Sequence, residues 1–259
     1  MMKLAANLTM LFNEVPFLDR FEQAARAGFR GVEFLFPYGF HADQIAEKLD
    51  AYQLELVLHN LPAGDWEAGE RGIACHPGRS AEFREGVEEA LHYAKGLGVR
   101  QLNCLLGKLP PGTDREEATR TASDNLRYAA DMLQEHGIRL LIEPINSFDI
   151  PGFSLTHTQQ AVDLIRRTGS SNIYLQYDIY HMQRMEGELA NTIKANRDVI
   201  GHVQVADNPG RFEPGTGEIN YRFLFKLLDE IGYDGWVGCE YKPRAGTVEG
   251  LGWRSLHGV

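Results

Sequence analysis

Four oxygen-bearing side chains close four successive apolar runs in the second half of the chain. They are Glu143 after LLI, Asp178 in YLQYD, Gln204 in HVQV and Glu240 in WVGCE. Three carboxylates and an amide carbonyl converging on one rim would repel one another, because burying like charges without a counter-ion is costly. A divalent cation placed among them removes that penalty. Ligation by oxygen alone suits a hard ion, Mg²⁺ or Mn²⁺, better than zinc, which usually recruits Cys or His. His181, three residues beyond Asp178 in DIYH, falls close to the quartet and is a candidate substrate contact rather than a required ligand. Any one of these acids alone reads equally well as a solvated strand end. Four consecutive strands ending alike is what gives the set weight.

The elements that must position these residues repeat with a βα rhythm. Apolar runs suited to strands lie at 3–8, 30–36, 54–59, 100–106, 138–143, 173–178, 200–205 and 235–240. Between the first two, Pro16 to Ala27 places Phe17, Phe21, Ala24 and Ala25 on one helical face, with Gly28 just past its end. Ser80 is a plausible N-cap for a helix that Gly98 stops, and Asp114 to His136 forms another, closed by Gly137. Further helices are expected near 42–52, 157–168, 187–197 and 221–231, and an eighth, poorly marked, after Thr247. An open doubly wound sheet would carry a GxGxxG turn after its first strand, and here the chain runs into TMLFNEVP instead. With 259 residues, the pattern predicts one α/β domain over 1–259, a (β/α)₈ TIM barrel. In such barrels the carboxyl ends of the strands carry the chemistry, which is where the quartet falls.

Composition narrows the partners. Lys and Arg number 26 against 36 Asp and Glu, a net charge of −10 that opposes approach to a polyphosphate backbone and argues against nucleic acid. No apolar run approaches the roughly 18 residues of a membrane span. The cysteines, Cys75, Cys104 and Cys239, are odd in number and lack CxxC spacing, which points to a reducing cytoplasm. Met1 to Phe12 carries Asn7 and Thr9 within its apolar stretch and reads as a first strand rather than a leader. The sequence neither requires nor opposes a homo-oligomer.

Five segments carry a resemblance: HNLPAGDWEAGERGIACHPGR at 59–79, IEPIN at 142–146, QYDIYHMQRMEGEL at 176–189, EPGTGEINY at 213–221 and GWVGCEYKP at 235–243. Together they resemble the hydroxypyruvate isomerase family over nearly the whole chain. The resemblance implies a xylose-isomerase-like barrel in which two metal-bound glutamates act as acid and base. These carry over onto Glu143 and Glu240, with Asp178 and Gln204 as the remaining ligands. Many relatives in the wider group have His where Gln204 stands. The implied reaction interconverts hydroxypyruvate and tartronate semialdehyde, so the implied partner is a small hydroxy or keto acid. The alternatives are the same chemistry on 2-oxo-tetronate, a keto-sugar epimerase, a metal-dependent endonuclease on the same fold, and a sugar-acid binding protein without catalysis.

Three carboxylates and a divalent ion leave one net negative charge, so the substrate carboxylate needs a separate cation. Lys108, at the mouth end of the fourth strand, and Arg71 and Arg79, in the loop after the third, are the candidates. His59 and Glu33, also at strand ends, are expected to contact substrate or to orient other site residues. The loop from Leu61 to Arg79 is long and charged, and reads either as a lid or as a surface excursion packed by Trp66.

Overall fold

A computed structural model describes residues 2–259. Eight parallel strands, β1 (Lys3–Asn7), β2 (Gly31–Glu33), β3 (Glu55–Asn60), β4 (Gln101–Cys104), β5 (Arg139–Ile142), β6 (Ile173–Asp178), β7 (Ile200–Val205) and β8 (Trp236–Cys239), pair in sequence order. The ring closes where β8 pairs with β1, from Lys3 opposite Trp236 to Ala6 opposite Cys239. This is the barrel that the alternation of runs predicts.

Helices α1 (Phe17–Arg26), α2 (Ala42–Tyr52), α3 (Ser80–Leu97), α4 (Arg115–Gln134) and α5 (Thr158–Thr168) follow β1 to β5 in turn. Their apolar stripes, such as Phe21 and Ala24 of α1 or Leu126 and Ala129 of α4, are buried in the main hydrophobic core. Each fully buried Leu or Phe there contributes about 1.5–3 kcal/mol. After β6 the chain forms two helices, α6 (Ile179–Met185) and α7 (Leu189–Asn196), where the sequence pattern suggests only the second. Helix α8 (Tyr221–Glu230) precedes β8, and the poorly marked last helix is two short ones, α9 (Thr247–Gly250) and α10 (Trp253–His257).

Two expectations are corrected. Ser80 is the first helical residue of α3 and not its cap, because a 3₁₀ turn at Pro77–Arg79 leads directly into the helix. Strand β2 is three residues long rather than seven. Its register against β3 slips between Val32 and Glu33, and beyond that point only isolated backbone bonds continue, Phe34 N–H to Leu58 and Asn60 N–H to Leu35. Strand alternation, two residues on from Gly31, turns Glu33 into the barrel.

Near the amino ends of the strands, large rings fill the interior over residues that have no side chain. A Cβ on Gly31 would stand 2.7 Å from the Trp236 ring, and one on Gly201 would stand 2.8 Å from both Leu141 and Tyr174. The opposite end of the barrel is thereby left as the open one. Overpacking a filled core costs about 1–3 kcal/mol. Gly31→Ala should therefore lower the unfolding free energy by that amount, read from urea denaturation, and an unchanged value would show that Trp236 is free to move aside.

Candidate active site and metal centre

The carboxyl ends of β5, β6 and β8 deliver Glu143, Asp178 and Glu240 to one point. With His181 they form a buried group whose ligand atoms all lie within 4.8 Å of one another. The local sequence explains each placement. Glu143 and Glu240 are the first residues beyond their strands, where the alternation of the strand turns them inward. Asp178 ends β6 and caps α6, its Oδ1 accepting from the backbone N–H of Tyr180 (2.7 Å) and of His181 (3.3 Å). That cap fixes one oxygen in place and leaves the other, Oδ2, buried without a hydrogen-bond partner.

Glu143, His181 and Glu240 line a cavity of ≈ 130 Å³, shared with Asn7, Asn60, Asp149, Gln176, Gln204 and Arg211 and walled by Phe34, Leu58, Trp66, Leu105, Ile145 and Ile150. Gln204 stands opposite Asp178 in the β6–β7 register. Its Nε2 donates to Glu33 Oε1 (2.7 Å), and its Oε1 accepts from Gln176 Nε2 (2.7 Å). Glu33 is itself fully buried and also accepts from Asn7 Nδ2 (3.0 Å), while its Oε2 lies 2.7 Å from His202 Nε2. Gly238 makes this possible, since a Cβ there would overlap both Glu33 carboxylate oxygens.

The proposed cations fall elsewhere. Lys108 donates to the Gly69 carbonyl (2.8 Å), and Arg79 is paired with Glu70 and Glu82. Arg71 stacks on Trp66 at 3.9 Å, with its Nη1 held by the Trp66 and Glu70 carbonyls. None of the three lines the cavity. The guanidinium that does so is Arg211, from the loop after β7, whose Nη2 lies 2.5 Å from Glu240 Oε2 and 3.6 Å from Asp178 Oδ2. Sequence reasoning missed it, although its place six residues past the end of β7, in DNPGRF, was a usable signal. His59 is buried between Phe34 and Tyr38, bonded through Nδ1 to the Asn60 carbonyl, and does not reach the cavity. Burial drives its pKa down to about 4. The 61–79 loop is braced internally by the Arg79–Glu70 pair and gives Trp66 to the cavity wall.

Burial raises the pKa of Glu143, Asp178 and Glu240, and for Glu143 repulsion from Glu240 and Asp178 adds to it. Burial acts against the charge on Arg211, yet the three carboxylates around it outweigh that effect and hold it protonated. For His181, burial first and then Arg211 and Arg184 push the ring toward its neutral form. Hard oxygen donors, a lone buried carboxylate oxygen on Asp178 and mutual repulsion relieved only by positive charge together fit a divalent cation.

Protons and a cation compete for the same oxygens. The folded-state pKa values of the three carboxyls lie above the unfolded ones, so their contribution to metal-free stability is present at low pH and is lost as pH rises through the folded values. A bound cation reverses that loss. The thermal stabilisation that Mg²⁺ gives to chelator-treated protein should therefore be larger at about pH 8 than at about pH 5. Equal stabilisation at both would take these carboxylates out of the ion's site.

Comparison with known proteins agrees with this geometry. Residues 21–255 match the family described as Xylose isomerase-like TIM barrel. Hydroxypyruvate isomerase of Escherichia coli (strain K12) is 59% identical over 98% of each chain. The 2-oxo-tetronate isomerase of Cupriavidus necator is 46% identical over 98% of this chain and 97% of its own. Among solved structures, AP endonuclease, family 2, from Brucella melitensis superposes with a TM-score of 0.97 at 50% identity, covering 99% of both chains. With its closed barrel and full-length relatives, the chain belongs to the xylose isomerase-like TIM barrel family, in the branch of the hydroxypyruvate and 2-oxo-tetronate isomerases.

Proposed function

We propose that this protein interconverts hydroxypyruvate and tartronate semialdehyde, with Glu143 and Glu240 as the proton-transferring pair. The observation that carries the reading is the meeting of these two buried glutamates, from the ends of β5 and β8, with Asp178 and a single guanidinium at one small cavity. Glu143, Asp178, Gln204 and Glu240 would hold a divalent ion, Mg²⁺ or Mn²⁺. When bound, that ion supplies Lewis-acid stabilisation of negative charge on oxygen.

The reaction moves one proton from C3, delivers another to C2, and passes the hydroxyl proton from O3 to O2. One glutamate removes the C3 proton to give an ene-diolate, and the other returns a proton at C2. Carboxyls raised by burial suit this exchange, because a catalytic group is most effective with its pKa near the working pH. The substrate carboxylate is met by Arg211 rather than by Lys108 or Arg71, since only Arg211 lines the cavity. Identity supports hydroxypyruvate as substrate over 2-oxo-tetronate, 59% against 46%. Free, buried Cys75, Cys104 and Cys239 suit a reducing cytoplasm, and among the described residues no helix is long and apolar enough to cross a membrane.

The name of the Brucella protein raises a second reading, cleavage of abasic DNA. The acidic balance and a cluster with one histidine speak against it. Purified protein should leave abasic duplex DNA intact while isomerising hydroxypyruvate, and the reverse outcome would favour the nuclease.

Glu143→Gln and Glu240→Gln each keep an oxygen and the local shape but lose the proton acceptor, so each should lower kcat by about 10²- to 10⁴-fold. In D₂O, one of the two variants should still exchange deuterium into one substrate carbon without completing turnover. Normal turnover by both would remove the two-glutamate mechanism. Arg211→Met should raise KM for hydroxypyruvate by more than about tenfold while the fold, read by circular dichroism, is unchanged. An unaltered KM would mean that the carboxylate is held elsewhere.

A further inference from the structure

Asn146 stands three residues past Glu143, buried, and its amide is locked in one orientation. Its Oδ1 accepts from the backbone N–H of Phe148 (3.1 Å) and of Asp149 (2.8 Å). A backbone N–H can only donate, so these two contacts identify the oxygen and leave the NH₂ on the other side. That Nδ2 lies 3.0 Å from Asp149 Oδ2 and 2.6 Å from His181 Nδ1, one hydrogen for each. Asp149 is held as an acceptor by the Tyr180 hydroxyl (2.9 Å) and Arg184 Nη1 (2.5 Å), so it cannot turn the amide over. The backbone N–H of Asn146 points to the same ring nitrogen of His181 at 3.5 Å.

Nδ1 of His181 thus faces donors only. A neutral imidazole that accepts at Nδ1 carries its proton on Nε2. Nε2 lies 3.6 Å from Asp178 Oδ2 and 3.7 Å from Glu143 Oε1, so its N–H is directed at the place where the carboxylates meet. In this tautomer the nitrogen has no lone pair to offer an ion.

We propose that Asn146 is a positioning residue that fixes His181 as its Nε2–H tautomer, making this histidine a neutral hydrogen-bond donor to a substrate oxygen instead of a metal ligand. Only the identity of that oxygen rests on the isomerase reading. The tautomer rests on the hydrogen bonds alone. In a proton exchange between adjacent carbons, negative charge grows on oxygen, and a preorganised donor aimed there binds the transition state more strongly than the ground state. The amide of Asn146 keeps that donor in place without adding charge to an already charged cavity.

The test is long-range ¹H–¹⁵N correlation on protein labelled with ¹⁵N-histidine, recorded with and without saturating Mg²⁺. The His181 signals among the nine histidines are assigned by their loss in His181→Gln. The expected pattern in the unmodified protein is a bare Nδ1 and a protonated Nε2, unchanged by Mg²⁺. A protonated Nδ1, or loss of the Nε2 proton on adding Mg²⁺, would overturn the proposal. Asn146→Asp presents an acceptor in place of the NH₂ and should move the proton to Nδ1. It should also lower kcat by about 10- to 100-fold, with a smaller change in KM. If Asn146→Asp and Asn146→Ala both fold and leave the tautomer and kcat as they were, Asn146 does not set the ring. The wild-type spectrum decides the tautomer even if neither acid is turned over, so failure of the isomerase reading is seen separately.

Discussion

Like-charge repulsion among Glu143, Asp178 and Glu240 is the constraint around which the mouth of the barrel is organised. At separations up to 4.8 Å, each ionised pair repels by about 3 kcal/mol even with an effective dielectric near 20. Three such pairs approach the whole net stability of a typical domain, about 5–15 kcal/mol. The fold can keep the cluster only by bringing positive charge to it or by letting it hold protons. Arg211 does the first in part, and the raised pKa values express the second. One guanidinium against three carboxylates leaves the cluster short of positive charge, a shortfall that a divalent ion would make up.

A fourth buried carboxylate, Glu33, shows how the same barrel treats an acid that is fully supplied with donors. It receives N–H groups from Asn7 and Gln204 and lies against His202. Space for it comes from the missing side chain of Gly238, and its inward direction from strand alternation with the inward-facing Gly31. Glu33 in turn holds Gln204 by its NH₂, which settles which end of that amide is the oxygen. Asp178 is the contrasting case, with one oxygen satisfied by α6 and the other open. The two acids differ in hydrogen bonding rather than in burial, and that difference separates a structural carboxylate from one prepared for a ligand.

Much of this was legible in the chain because barrel strands read as short apolar runs whose ends are polar. Glu143, Asp178 and Glu240 are marked by position, and eight runs with helical intervals specify closure. What escaped were features decided by reach and register. Arg211 lies beyond a turn, Asn208-Pro209-Gly210, whose path back over the mouth is not written in local periodicity. Lys108 sits where a clamp was expected, yet its ammonium turns to the Gly69 carbonyl. Helix α6 was missed because it spans only seven residues, less than two full turns, and owes its start to a cap by the very acid singled out as a ligand. His59 ends an apolar run just as the acids do, but its ring packs between aromatics, which residue type alone does not reveal.

Selection between three- and four-carbon acids has to come from the walls, because the reacting atoms of both are the same. Phe34, Leu58, Leu105, Ile145 and Ile150 offer no hydrogen bond to an added hydroxymethyl group. Among the polar lining groups, the Asn7 NH₂ is committed to Glu33 and Glu240, and the Asn60 amide oxygen to Asn103. The open acceptor is Oε1 of Gln176, buried and without a partner. A terminal hydroxyl that reaches neither it nor another polar group of the lining is stranded against apolar surface at about 1–3 kcal/mol. That is enough to favour the shorter acid by roughly one to two orders of magnitude at the 1.4 kcal/mol that each tenfold requires. A site built to hydrogen-bond a substrate hydroxyl rejects the analogue lacking it far more sharply than an apolar pocket rejects one that carries it. The charged floor of this barrel therefore suits the reaction common to both acids, and whether a terminal hydroxyl reaches Gln176 Oε1 decides which of the two the walls favour.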